Sequence, residues 1–256
     1  MNLSMTGTLA AAYRSGAQRA RVVTESWGES NLYCPNCSSP KLTWLEPGHP
    51  ASDYSCPKCR FWFQLKSQKS RIGDSITDGA YRAMMDAIKR DELPSFYFMQ
   101  YDLVTWSVRN LLLVPHFAFP PSAIIKRKPL SATARRAGWV GCNFALNRIP
   151  DSARIPVVND GSITSPAGVR QQYQLVRKQV EGLTVKQRGW RLDVLRVIQS
   201  MGKAEFSTSD AYAFERELEQ LHPDNRNIKA KIRQQLQELR DRNLLLHIDH
   251  NRWRLP

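Results

Sequence analysis

The chain has 256 residues, 42% of them hydrophobic, and a formal net charge of +14 from 37 Lys and Arg against 23 Asp and Glu. That length suits one large domain or two ordinary ones with a real core, and no apolar run approaches the roughly eighteen residues of a membrane span. The cationic excess points to a polyanion, because lysines and arginines displace condensed counterions from phosphates; no basic amphipathic helix with an aromatic face argues for a membrane surface instead.

Leu9, Ala12, Tyr13, Ala20, Val23 and Trp27 recur at helical spacing and predict a first helix over residues 8–27, stopped at Gly28. Residues 1–18 lack the basic region followed by an apolar region that a secretory signal would show. A cysteine-rich segment follows over residues 31–66. Ile76, Ala80, Met84 and Ile88 predict a second helix over 76–91, capped by Asp74 or Ser75 and closed by Pro94. Residues 96–101 and 111–115 are apolar runs of strand length. Residues 121–142 are basic and turn-rich, 151–168 read as a connector, and a helix is expected near 169–181.

Cys34-x-x-Cys37 and Cys56-x-x-Cys59 stand eighteen residues apart, a spacing that matches a four-cysteine zinc site. Each knuckle supplies two thiolates from one proline-bearing turn. Four thiolates complete a tetrahedral shell, so this Zn²⁺ is expected to be structural. Metal-type use of cysteine in a chain without a signal favours a reducing cytoplasm. Cys142, the odd one, is expected to be a buried free thiol.

Residues 61–66 have strand composition, so Trp62, Gln64 and Lys66 share one face while Phe61, Phe63 and Leu65 share the other. Ser52-Asp53-Tyr54 lies across the Cys56–Cys59 turn and can pair with this strand as a hairpin. Asp53 would then meet Gln64 and Lys66. Oxygen ligands hold Mg²⁺, and a lysine beside them can orient water or screen charge for phosphodiester hydrolysis. Such spacing alone commonly marks a solvated strand face; its place on a zinc-pinned hairpin in a basic chain gives it weight. Gln64 offers a carbonyl without charge, which weakens Mg²⁺ binding relative to a carboxylate.

Lys126, Arg127, Lys128, Arg135, Arg136 and Trp139 form a basic stretch with an aromatic, suited to gripping phosphates and stacking on bases; Trp139 is equally a candidate for the core. From residue 183 the pattern changes. A helix opens near Gly189, a second spans residues 207–220, and a third spans 225–243 with Ile228, Ile232, Leu236 and Leu239 as its buried stripe. Arg226, Lys229, Arg233, Gln234 and Gln237 occupy the opposite face. A hairpin around Asp249-His250-Asn251 looks like a wing. This is the winged-helix plan, whose third helix enters the major groove, where Arg reads guanine and Gln reads adenine.

The stretches TESW, YCPNC, the hairpin that ends in QLKS, TDGAYRAMM, IIKRKPL, TARRAGWVGCN, RGW and IRQQLQELRD together resemble the DpnI-type restriction endonucleases over almost the whole length. The resemblance implies an α/β fold: a PD-(D/E)xK mixed sheet flanked by helices with a four-cysteine zinc site over residues 1–182, then a winged helix over 183–256. It implies a Mg²⁺-dependent endonuclease that cuts duplex DNA at G-A-T-C sites carrying N6-methyladenine, with both domains touching the methylated sequence. The family triad of Asp, Glu and Lys falls on Asp53, Gln64 and Lys66, so position 64 departs from the pattern. Asp53, Gln64 and the Leu65 carbonyl are the expected Mg²⁺ ligands. The expected partner is adenine-methylated duplex DNA, met by a cytoplasmic monomer with no membrane and no obligate protein partner. Two other readings stand beside this one: a non-enzymatic zinc and winged-helix protein that only binds methylated DNA, and an RNA-binding protein.

Overall fold

The computed structural model describes residues 1–46 and 52–256. The chain opens with a 3-10 turn at Gly7–Ala12 and continues in α1 (Gly16–Asn31), so the expected helix over 8–27 is broken in two and runs past Gly28. Gly28 is a point of close approach instead of a stop: a Cβ there would lie 2.3 Å from the Tyr54 hydroxyl. Short strands β1 (Thr43–Trp44) and β2 (Tyr54–Ser55) follow, then β3 (Trp62–Gln68). Residues 75–89 divide into β4 (Ser75–Ala80) and α2 (Tyr81–Lys89). This corrects the single helix expected over 76–91. Ile76 and Ala80 lie on the strand, and Asp91, left-handed at φ 58°, ends the helix before Pro94 is reached.

β5 (Ser95–Asp102) and β6 (Ser107–Val114) form an antiparallel hairpin where two buried strands were expected. The basic stretch is bracketed by β7 (Ile124–Lys126) and β8 (Gly141–Ala145). The expected connector over 151–168 instead contains β9 (Ile155–Asn159) and β10 (Ser162–Ile163), with Ile155 and Val157 fully buried. α3 (Pro166–Val180) then starts on a Ser165 cap with Pro166 in its first turn.

The main sheet has the order β1-β2-β3-β5-β6-β9-β10. Its β3–β5 pair is parallel and its other pairs are antiparallel, so the sheet is mixed. The parallel pair requires a crossover, and β4 with α2 supplies it. Gln64 pairs with Phe96 and Lys66 with Phe98. Paired residues on adjacent strands share a face, so these polar groups lie on the side that carries Phe96 and Phe98. A second sheet, β4-β8-β7, is bound to that same side by aromatic contact. The Phe144 ring lies 4.7 Å from Phe96 and 5.6 Å from Phe98, and Phe119 lies 5.2 Å from Phe96.

The C-terminal part has its own core, built around Val194, Ile198, Phe206, Ile232, Leu236, Leu239 and Trp253. α4 (Val185–Ser200) begins with a capping box between Thr184 and Gln187. β11 (Glu205–Ser207) precedes α5 (Thr208–Tyr212), whose cap is Ser207, and α6 (Glu215–Leu221). The one helix expected over 207–220 is therefore split, and Phe214 packs on the core at the break. α7 (Ile228–Asp241) buries the expected stripe Ile228, Ile232, Leu236 and Leu239. β12 (Leu246–Asp249) and β13 (Arg252–Arg254) make the wing, and β11 joins them in the order β11-β13-β12. Leu192 of α4 belongs to the larger core and Trp190 to the smaller one, so one helix serves both. Among the described residues, no helix is long and apolar enough to cross a membrane.

Phe144 holds the second sheet against the first and is fully buried. Phe144→Ala is expected to cost about 3–5 kcal/mol, the range for deleting a buried aromatic ring; urea denaturation followed by fluorescence measures it.

Candidate active site

The cysteine knuckles converge. The four Sγ atoms of Cys34, Cys37, Cys56 and Cys59 lie within 4.8 Å of one another, and the Cys34–Cys59 and Cys37–Cys56 sulfurs are each 3.5 Å apart. A tetrahedron of thiolates around Zn²⁺ has sulfur edges of about 3.8 Å, so the four residues fit a metal ion of that kind. Burial raises the Cys34 thiol. Burial also acts on Cys56, but the Cys59 and Lys58 N–H groups overcome it and bring that thiol down to about 6. Cys142 lies apart from this cluster, fully buried and free, with burial raising its thiol to about 11.

The knuckle at residues 56–59 is the turn between β2 and β3. Tyr54 pairs with Phe63 and Ser55 with Trp62, and the Asp53 amide extends the ladder by donating to the Phe63 carbonyl at 2.9 Å. Asp53 thus stands at the β3 edge next to Gln64. Its carboxylate accepts a hydrogen bond from the Leu65 amide at 2.8 Å. In extended backbone the N–H and C=O of one residue project to the same side, so the Leu65 carbonyl faces Asp53 as well. Burial raises the Asp53 carboxyl, against the Leu65 bond and the charges of Lys66 and Arg21. Glu25 of α1 is raised by burial, with the Asp53 charge adding to it, while Arg21 opposes.

Gln64 and Lys66 line a cleft of about 730 Å³ between β3, β4 and α2, together with Asp78, Met84 and Leu93. Asp53 borders this cleft from the strand edge and does not line it. The Gln64 Oε1 atom is buried and has no hydrogen-bond partner among the described residues. A buried carbonyl oxygen left unpaired is costly, and a cation would satisfy it. The unpaired Gln64 oxygen and the Asp53 carboxylate at the adjoining strand edge are oxygen donors of the kind a hard divalent ion takes. Trp62, on the same face, is exposed at the cleft mouth.

The sequence reading missed Asp78, which ion-pairs with Lys66, and Glu25 with Arg21 on the other side of Asp53. Both acids lie in stretches that carry the family resemblance, TDGAYRAMM and TESW. An acidic residue before a glycine at a strand end was the available signal for Asp78.

The basic stretch is exposed at Lys126, Arg127, Lys128, Arg135 and Arg136, and Trp139 is half-buried. The Arg136 guanidinium sits 4.8 Å from the Trp139 ring centre, and the ring covers Gly141, where a Cβ would be only 2.8 Å away. Lys126 Nζ lies 5.7 Å from the ring of Tyr81, the first residue of α2, so the stretch adjoins a wall of the cleft. Lys229, Arg233, Gln234 and Gln237 are exposed on α7, whereas Arg226, expected on the same helix, lies exposed in the loop before it. Lys229 is paired with Glu215 at 3.3 Å, and Gln234 bonds to Lys231 and Glu238.

Comparison with protein families decides the relationship. The DpnI model, described as the Dam-replacing family, matches residues 1–181, and the Dam-replacing HTH domain matches residues 186–254. The chain belongs to the DpnI family. That membership covers both cores and points to a modification-directed DNA nuclease with a DNA-binding HTH domain.

In this DpnI-family chain the thiolate cluster is expected to carry a single bound ion. Cys56→Ser should lower its retention and lower the melting temperature, read by metal analysis and thermal denaturation. A variant that keeps both at parental values would show that the cluster holds no structural metal.

Proposed function

We propose that this protein is a Mg²⁺-dependent restriction endonuclease that cleaves duplex DNA at G-A-T-C sites containing N6-methyladenine. Residues 1–182 form the nuclease unit with a structural Zn²⁺, and residues 183–256 form the winged helix. The observation that carries this reading is the orphaned Gln64 carbonyl, held in one cleft with Lys66 beside the Asp53 edge.

Asp53, Gln64 Oε1 and the Leu65 carbonyl would hold the divalent ion. When bound, it polarises the phosphate and stabilises charge developing there. The Lys66 ammonium orients a water for in-line attack and screens the phosphate. The water oxygen bonds to phosphorus and releases a proton to solvent, the P–O3′ bond breaks, and the leaving O3′ takes a proton from solvent. The products are a 5′-phosphate and a 3′-hydroxyl. Arg21, bonded to Glu25 at 2.7 Å, limits the repulsion between that carboxylate and Asp53.

Recognition is divided between the basic stretch and α7. Lys126, Arg127, Lys128, Arg135 and Arg136 grip phosphates, and the half-buried Trp139 offers its free ring surface to bases. Arg233 and Gln237 on α7, with Arg226 just before it, face outward for the major groove. Enclosing the N6-methyl in apolar or aromatic atoms contributes about 0.8 kcal/mol per methyl, the value for one buried CH₂. A palindrome methylated on both strands doubles this. The chain acts as a monomer in the cytoplasm.

Purified protein with Mg²⁺ is expected to cut adenine-methylated plasmid and leave unmethylated plasmid intact. Lys66→Ala should lower the cleavage rate by about 10²-fold or more, with duplex affinity nearly unchanged. Gln64→Glu restores a charged ligand and should lower the Mg²⁺ concentration for half-maximal cleavage by about tenfold, or about 1.4 kcal/mol. The neutral amide favours one rival, a protein that binds methylated DNA without cutting it. Inertness of both the parent chain and Gln64→Glu, with methyl-dependent binding intact, would establish that rival. Arg233→Ala should cost about 1–3 kcal/mol of duplex affinity if it reads a base, measured at fixed salt.

A further inference from the structure

Of the carboxylates that line the cleft, Asp78, Asp86 and Glu92, Asp78 is the buried one, and the proposed chemistry gives it no role. The Asp78 side chain is 3% exposed and ion-paired with Lys66. The backbone aims it there. The β4–β8 ladder shifts register between Thr77 and Ala80, leaving Asp78 and Gly79 in a bulge, and bulges re-aim side chains next to sites. The Cys142 thiol donates to the Gly79 carbonyl at 3.5 Å and backs the bulge.

The charges around the cleft explain why such a group is needed. Asp86 and Glu92 at the rim face Arg82 and Arg90; nearest the proposed ion, Asp53 carries one negative charge, Lys66 one positive, and Gln64 none. The attraction of a divalent cation to Asp53 would therefore be offset by the nearby ammonium in a half-buried site. The Asp78 carboxylate cancels that ammonium. It also directs the long lysine side chain into the cleft.

We propose that Asp78 is a positioning residue: by pairing with Lys66 it neutralises the lysine charge, so that Asp53 and Gln64 can bind a divalent cation next to it. This rests on the nuclease reading of the cleft. Asp78 acts through Lys66 and does not ligate the ion.

The test is Mn²⁺ titration of the full-length protein with its thiolate site filled, followed by the electron paramagnetic resonance signal of free Mn²⁺. Asp53→Ala should abolish the site. Asp78→Asn should weaken Mn²⁺ binding by about tenfold, the scale of one uncompensated charge nearby. Asp78→Glu, which keeps the charge, should retain most of the affinity. Adding Lys66→Met to Asp78→Asn should restore it, although that protein has lost the lysine. Lys66→Met alone should bind Mn²⁺ more tightly than the parent, which tests the idea even if Asp78→Asn fails to fold. Parental affinity in a folded Asp78→Asn overturns the proposal, as does weakened binding in Lys66→Met. A double variant that stays weak makes Asp78 a direct ligand and also overturns it. If parental Mn²⁺ binding is indifferent to Asp53→Ala, the nuclease reading of the cleft fails and takes this proposal with it.

Discussion

The candidate site depends on the register of a ladder too short to hold itself. β2 and β3 share two paired positions, and a hairpin of that size has little stability in water. A slip of one residue would turn Gln64 and Lys66 away from the cleft toward α1, because strand side chains alternate faces. The four sulfurs of Cys34, Cys37, Cys56 and Cys59 close the far end of the hairpin, and α3 holds the first knuckle from behind. Arg170 donates to the Cys34 and Ser39 carbonyls at 3.0 Å, Gln174 to the Asn36 carbonyl at 3.1 Å, and Arg177 to the Asn36 side chain at 2.9 Å. At the near end, Tyr54 crosses Gly28 and donates to the Glu25 carbonyl at 2.8 Å. The pairing that brings Asp53 to Leu65 is thus fastened on both sides of the strand.

The second requirement is a wall opposite that strand. The β4-β8-β7 sheet supplies it, and aromatic packing of Phe144 and Phe119 onto Phe96 and Phe98 sets its place. Pairs of this kind are worth about 0.5–1.5 kcal/mol beyond their area burial, and their geometry restricts sliding. Lys66, on the main sheet, and Asp78, on the second, meet across the gap that remains. Their ion pair is a consequence of the packing. A half-buried pair is weak evidence for stability, so its retention here is better understood through the cleft.

The zinc-type knuckles, the hairpin, the β5–β6 strands and the three-helix plan with a wing were legible because each is local. Knuckle spacing, strand alternation and the α7 stripe need no knowledge of distant residues. The error at residues 76–91 has a simple origin. Positions 76 and 80 are four apart, which satisfies both a helical face and a strand face, and the sequence window does not distinguish the two. β9 was hidden by its surroundings: Pro156 and the neighbouring Gly, Ser and Asn residues read as turn chemistry, while burial of Ile155 and Val157 depends on β6. Asp78 was illegible for the same kind of reason. Its partner sits on another sheet, and only tertiary packing joins them.

The two cores communicate through α4. Buried charge on a shared helix is tolerated only when it is paired and hydrogen-bonded, and Asp193, Arg191 and Arg188 of α4 find partners in other elements. Asp193, fully buried, accepts from Ser122 of the larger unit at 2.6 Å and meets His222 of the smaller unit at 2.9 Å. Arg191 donates to the Gln179 carbonyl at the end of α3 and pairs with Glu238 of α7. Arg188 pairs with Asp91 beyond α2. Apolar packing would bind these elements together at many relative angles, whereas a set of directional bonds selects few. α7 of the HTH domain and the end of α2, which walls the cleft, are therefore both tied to α4 by polar bonds. Such a link is what a nuclease would need if modification sensed on one domain is to govern hydrolysis on the other.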